Sequence, residues 1–422
     1  MLPEVVRRTL PNGARLLAAE SHASESVVLA GFLAGGAALD PPGREGLLNL
    51  TATVAQRATA ARSYDQIYDL LDSLGASLGT GVGTHAVSFR AKCLGRHWRS
   101  VAGLLAELLR SPSFPEAELA RARGEVLTSL REIDQSTRMV ASRELCRLVY
   151  PQGHPFHHPP YGCREVVEAI AREELMACHD RLFRPDALVL AIVGDVAAGE
   201  ALDGLAELLA DWPRPPEPLL APELGAEHPQ EPQRAIFPLD DKSQADLALG
   251  FKAIPRSHPD FDALDQATEI LGGFGLMGRL GDNVRDRQGL AYHVSASLAE
   301  GFGNPLWAVH AGVNPANVPR AIASILDEIK LMQDQPVSEQ ELADCQDNLA
   351  GGMPVHLETN DGLAAALNNI ELFGLGHDYL TRYPQIVRAV TREAVQRAAQ
   401  EHLTAERYSL AIAGPTIDID SE

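Results

Sequence analysis

The chain has 422 residues, 45% of them hydrophobic, and a formal net charge of −21 from 57 acidic and 36 basic side chains. This length predicts two or three domains, and the acidic balance argues against a nucleic-acid or anionic-membrane surface. The longest apolar run, residues 27–39, is too short to span a bilayer. Five scattered cysteines without C-x-x-C spacing predict free thiols in a reducing compartment, so we expect a cytoplasmic protein.

Patterns typical of strands and of helices are mixed along the chain. Four apolar runs predict strands, at residues 26–33, 188–193, 247–251 and 408–413. Two amphipathic patterns predict helices, at residues 100–109 and 321–332. Because strict β-α-β alternation is absent, the order favours an α+β fold, with helices packed on one face of a largely antiparallel sheet.

The chain repeats itself. Residues 166–194 align without a gap with residues 386–414, an offset of 220 (386 minus 166). Both stretches open a helix with an Arg-Glu pair and close on a Leu-Ala-Ile-x-Gly strand. A proline-rich stretch between the copies predicts an extended linker. We therefore predict a first domain over residues 1–211, a linker over 212–233 and a homologous second domain over 234–422.

A strand over residues 28–39, a turn and the start of a helix at residues 46–54 follow one another early in the chain. Here the chain resembles the M16 family of zinc metallopeptidases, the insulinase and mitochondrial-processing-peptidase group. The resemblance extends over nearly the whole length, through residues 270–292 and 411–415. It implies two homologous domains of the M16 peptidase or LuxS-like metallohydrolase type. In active members the early helix carries H-x-x-E-H, whose histidines bind zinc and whose glutamate activates the metal-bound water.

The zinc motif is degenerate in this chain. The two histidine positions hold Asn49 and Thr53, the glutamate position holds Ala52, and the resemblance places the more distal glutamate ligand at Ser129. An amide, two hydroxyls and a methyl group cannot replace two imidazoles and two carboxylates as zinc ligands and base. We therefore expect neither a catalytic metal nor another cofactor in this chain.

A second segment, around residues 277–298, predicts a helix followed by a strand. Met277, Leu280 and Val284 recur at helical spacing, and the helix is predicted to end near Arg287 because Gly289 follows. Alternating residues from Tyr292 onward predict a strand whose inner face Tyr292 shares. An arginine near a helix end and a tyrosine at a strand start also have ordinary structural explanations.

The resemblance gives this segment a function. In the M16 family an arginine and a tyrosine seven residues apart in the second domain contact the backbone of the bound peptide near the scissile bond. Arg285 and Tyr292 match that spacing and its Gly-Leu-Ala-Tyr ending. A guanidinium and a phenol can donate hydrogen bonds to peptide carbonyls and to a developing oxyanion.

Together these features predict one subunit of a heterodimeric, bacterial M16B-type metallopeptidase. The partner would be a homologous chain with an intact zinc motif, and peptides would be the substrates, without nucleic-acid or membrane partners. This chain alone would be inactive and would supply Arg285 and Tyr292 in trans. The alternative is a catalytically inactive structural or peptide-binding core subunit.

Overall fold

The computed structural model describes residues 3–222, 224–225, 231–274, 278–403 and 406–416. Its strands are β1 (Val5–Thr9), β2 (Arg15–Glu20), β3 (Ser26–Ala34), β4 (Ser77–Val82), β5 (Ala86–Leu94), β6 (Leu188–Gly194), β7 (Gln233–Pro238), β8 (Ala245–Lys252), β9 (Ala291–Leu298), β10 (Leu306–Val313) and β11 (Ser409–Gly414).

The α-helices are α1 (Leu47–Ala55), α2 (Tyr64–Leu74), α3 (Trp98–Arg110), α4 (Glu116–Asp134), α5 (Thr137–Val149), α6 (Arg164–Ala169), α7 (Arg172–Leu182), α8 (Ala198–Leu209), α9 (Phe261–Thr268), α10 (Val318–Asp334), α11 (Glu339–His356), α12 (Asn360–Phe373), α13 (Tyr379–Ala389) and α14 (Arg392–His402). Two π-helical segments cover Glu269–Gly273 and Gly281–Arg287. The four strands predicted from apolar runs, the two amphipathic helices and the helix predicted at residues 46–54 are confirmed within three residues at either end. The strand predicted over residues 28–39 is too long: β3 ends at Ala34, because Gly35 takes a left-handed conformation (φ +94°), and a 3-10 helix covers Ala37–Leu39.

The strands form two sheets with equivalent topology. The first has the order β1-β2-β6-β3-β5-β4 and the second has the order β7-β11-β8-β10-β9. In each sheet one neighbouring pair runs parallel, β2 with β6 and β7 with β11, whereas the other pairs run antiparallel. Read across the sheets, the order β2-β6-β3-β5-β4 in the first therefore matches the order β7-β11-β8-β10-β9 in the second, as expected of a duplicated sequence. The predicted α+β fold is confirmed.

The structure adds one helix on the opposite face of each sheet. In the first, α12 packs against β3 and β6, and in the second, α5 packs against β8 and β11. The central strands β6 and β11 are buried along their whole length, because both of their faces are covered. This explains their almost uninterrupted apolar sequences, LVLAIVG and SLAIAG.

The two covering helices come from the other half of the sequence. The first compact unit consists of Met1–Leu130, Pro159–Pro222 and Pro354–His377, and the second of Arg131–His158, Glu223–Met353 and Asp378–Glu422. These units differ from the predicted halves because two helical segments are exchanged. The first unit includes Pro354–His377 from the second half of the sequence, and the second unit includes Arg131–His158 from the first half. At the start of α12, the Asn360 side chain donates a hydrogen bond to the Ser26 carbonyl (2.9 Å), which anchors the exchanged helix to β3.

The proline-rich segment contains no helix or strand among its described residues before β7. Its beginning is held by the first unit, since the Asn12 amide donates to the Trp212 carbonyl (3.1 Å) and the Arg184 guanidinium donates to the Glu217 carbonyl (2.6 Å). Residues 223 and 226–230 of the predicted linker, and Met277 of the predicted apolar stripe, lie outside the described residues. In the part of the chain that the structure describes, no helix is both long and apolar enough to cross a bilayer.

Candidate functional site

The segment that precedes Tyr292 is a π-helix, which ends where the sequence predicts. Leu280 and Val284 are fully buried and form the apolar face of the segment. The helix ends at Arg287, and Gly289 follows with φ +63°, a left-handed conformation that glycine adopts without steric cost. The predicted helix end is confirmed. The wider π-helical turn was not predicted, although such turns are frequent at functional sites.

Side-chain hydrogen bonds fix this helix end to α10. The Asn283 amide donates to Glu328 Oε1 (2.6 Å), and the Gln288 amide donates to both Asn283 Oδ1 (2.9 Å) and Ser324 Oγ (3.0 Å). The backbone adds a hydrogen bond from the Leu290 N–H to the Val284 carbonyl (2.9 Å). These bonds hold the backbone on either side of Arg285 in one conformation.

Arg285 itself is half-buried and lies on this fixed segment. Within the described ranges, its guanidinium forms no hydrogen bond or ion pair, whereas the neighbouring Arg287 pairs with Asp282 at 2.6 Å. The guanidinium carries five N–H donors and stays charged at any physiological pH. Arg285 therefore offers donors that the described residues of its unit leave available.

Tyr292 does not share the inner face of its strand, so that prediction is wrong. Its side chain is 65% exposed, whereas Val294 and Ala296 on the same strand are buried. The pairing of β9 with β10 matches Val313 with Ala291 and Gly312 with His293, which leaves Tyr292 without an opposite residue. This is a β-bulge, a feature that redirects one side chain out of the regular alternation. It turns the Tyr292 phenol away from the core.

The other face of the bulge contacts a buried polar cluster. A side chain at Gly312 would collide with the His293 ring, so the glycine makes room for that ring. Asp246 is only 4% exposed, and its Oδ2 accepts hydrogen bonds from Thr137 Oγ1 (2.5 Å) and the Gln244 amide (3.3 Å). Its Oδ1 faces His293 Nε2 at 3.6 Å. The side chain next to Tyr292 on the strand therefore lies against this buried carboxylate.

His310 lies beside the same cluster and is held near the exchanged helix α5, since its Nδ1 is 3.5 Å from Ser142 Oγ. Burial lowers the pKa of His310 to about 4, assisted by the positive charge of Arg138. The imidazole is therefore neutral at pH 7.

The structure places the degenerate zinc positions on α1 and α4 of the first unit. Asn49 and Thr53 are one helical turn apart and half-buried, as the motif requires, but Thr53 Oγ1 donates its hydrogen bond to the Asn49 carbonyl (2.8 Å). Ala52 is 2% exposed and offers only a methyl group, and Ser129 is exposed on α4. These side chains do not fit a zinc ion.

An arginine joins the two helices that carry the degenerate positions. Arg57, just after α1, is 9% exposed and forms ion pairs on α4 with Glu125 and, at 3.5 Å, with Glu118. A buried guanidinium needs such carboxylate partners to offset its loss of hydration. This connection was not predicted, because nothing in the sequence near Arg57 indicates which carboxylates α4 brings to it.

Two family models match consecutive parts of the chain. The model described as "Insulinase (Peptidase family M16)" matches residues 15–154, and the one described as "Peptidase M16 inactive domain" matches residues 169–349. Among curated proteins, the uncharacterized zinc protease YmxG of Bacillus subtilis is 21% identical over 417 residues, covering 99% of this chain and all of the relative. An uncharacterized zinc protease of Mycobacterium bovis is 25% identical over 417 residues, covering 97% and 93%.

Solved structures agree with this similarity. The crystal structure of a peptidase M16 inactive domain from Pseudomonas fluorescens superimposes with a TM-score of 0.91 at 25% identity and covers 98% of both chains. A protease from Helicobacter pylori also gives 0.91, at 18% identity, covering 98% of this chain and 100% of its own. The fold is thus shared across nearly the whole length.

Proposed function

Because this chain belongs to the M16 family of peptidases, we propose that it is the subunit of a heterodimeric M16B-type metallopeptidase that binds no catalytic zinc. A homologous partner would hold the zinc and the general base. This chain would supply Arg285 and Tyr292 to the peptide bound there. The observation that carries the proposal is the bulge at Tyr292, which turns the phenol outward in the same unit in which the Arg285 guanidinium has no partner among the described residues.

The chemistry of the two side chains suits peptide hydrolysis. Attack of water on a peptide carbonyl places negative charge on the carbonyl oxygen, and donors aimed at that oxygen lower the barrier. Arg285 contributes permanently charged N–H donors, and Tyr292 contributes one O–H donor. Such donors act best when they are held in place before the reaction. The hydrogen bonds from Asn283 and Gln288 to α10 provide that support for the Arg285 segment.

The same residues that exclude zinc from α1 support the need for a partner. Asn49, Ala52, Thr53 and Ser129 offer no imidazole and no carboxylate. A chain with oxyanion donors but without a metal or base cannot complete the hydrolysis by itself. A second subunit with an intact H-x-x-E-H motif would complete the set.

A catalytically inactive structural or peptide-binding subunit is the second candidate. The matched model described as an inactive domain and the Arg57 ion pairs that join α1 to α4 favour it. If the chain is such a subunit, the exposed Tyr292 side chain has no role in peptide cleavage. The two candidates differ in whether the complex needs Arg285 and Tyr292 to cleave peptides.

Co-purification is the direct test. A tagged form of this chain, expressed in its native host, is expected to retain a homologous zinc-bearing chain, and only the pair is expected to cleave a fluorogenic peptide. The matched control is the partner purified alone. Cleavage by this chain alone, or full activity of the partner without it, would contradict the proposal.

A further inference from the structure

We propose that His258, Asp260 and His402 form a binding site for a divalent transition-metal ion, with zinc as the representative ion. The site lies in the second unit and shares no residue with the degenerate positions on α1. His258 and Asp260 lie in the loop before α9, and His402 is the last residue of α14. Because α9 and α14 pack against each other, the three side chains meet although 142 residues separate Asp260 from His402.

The donor atoms already have the spacing of a coordination shell. His402 Nε2 lies 3.2 Å from Asp260 Oδ2, and His258 Nδ1 lies 3.9 Å from the same oxygen. All three donor atoms are within 4.8 Å of one another. Ligands at about 2.1 Å from a tetrahedral zinc are roughly 3.4 Å apart, so the Asp260–His402 pair fits without change. A rotation of the His258 ring, whose side chain is 35% exposed, shortens the longer distances.

The donor types select the class of ion. Two imidazoles with one carboxylate are typical ligands of zinc and other late first-row metals, whereas Ca²⁺ and Mg²⁺ prefer oxygen ligands alone. The three side chains are between 15% and 35% exposed, so water can reach the site and occupy the remaining positions. The site therefore has three protein ligands and at least one open position.

The contacts around the cluster are compatible with an ion. The Asp260 backbone N–H donates to His258 Nδ1 (3.1 Å), and Asp260 Oδ2 accepts from His402. A metal ion would replace both of these hydrogen bonds. The Arg397 guanidinium is 3.7 Å from the other carboxylate oxygen, Oδ1, so it can keep that contact while Oδ2 binds the metal. Partners of this kind orient metal-binding carboxylates in proteins.

An ion at this position would tie the beginning of α9 to the end of α14. α9 leads directly into the first π-helical segment, Glu269–Gly273. An ion that binds only the folded chain stabilises it in proportion to its concentration relative to the dissociation constant. A saturating ion would therefore raise the melting temperature of the whole chain.

The test uses the full chain stripped with a chelator and titrated with Zn²⁺ at pH 7.5 by calorimetry. We expect one equivalent of zinc, with at least a tenfold loss of affinity in His402→Ala and in Asp260→Asn, and a thermal shift on zinc addition that both variants lose. Co²⁺ in place of Zn²⁺ is expected to give visible absorption bands of a nitrogen- and oxygen-bound ion. The matched control is His22→Ala, because His22 also contacts a carboxylate, Asp195 at 2.6 Å, but has no second histidine beside it among the described residues.

Three outcomes would overturn the proposal: no zinc uptake by the unmodified chain, uptake that Asp260→Asn and His402→Ala leave intact, or uptake lost equally in His22→Ala. If circular dichroism shows that a variant at Asp260 or His402 is unfolded, His258→Gln replaces it, because that ring is the most exposed of the three. The measurement involves no peptidase assay, so its result is independent of the proposed heterodimer.

Discussion

Removing the Tyr292 hydroxyl is expected to slow peptide cleavage by the heterodimer without destabilising this chain. Tyr292→Phe keeps the ring, and the hydroxyl forms no hydrogen bond among the described residues, so the free energy of unfolding should change by less than about 0.5 kcal/mol. Arg285→Ala also removes a half-buried methylene stem and is expected to cost about 1 kcal/mol of stability. Loss of an oxyanion donor costs about 10²-fold in turnover, or about 2.7 kcal/mol of activation free energy.

The assay compares kcat and KM of the reconstituted heterodimer, with complex formation checked by sedimentation so that weak assembly is not taken for slow chemistry. Arg287→Ala is the matched control, because that arginine lies on the same π-helical segment, is 73% exposed and pairs only with Asp282 among the described carboxylates. We expect a fall in kcat for the Arg285 and Tyr292 variants and none for the control. Unchanged turnover in both variants, or an equal fall in the control, would refute the assignment of oxyanion donors.

Three further predictions concern the metal, pH and substrate charge. Zinc content of the purified chain should be the same after Asn49→Ala and Thr53→Ala, and a loss of zinc by atomic absorption would show an ion at those positions. Glu341 is partly buried, which opposes ionisation, but the Arg279 guanidinium and the Ser338 backbone N–H lower its pKa to about 2. Its usual value is 4.5, so the paired carboxylate contributes stability above pH 4.5 that is lost as the pH falls towards 2. Screening limits this contribution to about 1 kcal/mol. Glu341→Gln should remove it at pH 7 in urea unfolding, and a pH-independent difference between the two proteins would contradict the assignment. The net charge of −21 predicts faster cleavage of basic than of neutral peptides by the heterodimer at low salt, and equal rates at every salt concentration would exclude it.

Local patterns were sufficient for the strands and for the helix end at Arg287. Strand β6 is a continuous apolar run bounded by turn residues, and Gly289 marks the end of the π-helix. The orientation of Tyr292 could not be predicted this way, because alternation assumes regular pairing. The bulge depends on the register with β10, where Gly312 accommodates the His293 ring.

Local sequence patterns also could not predict which distant parts of the chain contact each other. Both α5 and α12 are ordinary amphipathic helices, and nothing local indicates that each covers a sheet built largely from the other half of the sequence. The meeting of His258 and Asp260 with His402 has the same origin. In contrast, the sequence spacing of Asn49 and Thr53 was sufficient to predict that they lie one helical turn apart, because one helix carries both.

The exchanged helices have a consequence for how the chain can be divided. A cut within residues 212–233 would give an N-terminal fragment that contains the first sheet without α12. The same fragment would carry α5 without the strands that bury Val140 and Leu145, and the C-terminal fragment would contain the second sheet without α5. Each fragment would therefore expose an apolar sheet face and aggregate when produced alone. Co-expressed fragments, in contrast, should complement each other and reassemble. Because α12 follows β7 to β10 in the chain, the first unit cannot be completed until most strands of the second sheet have been synthesised.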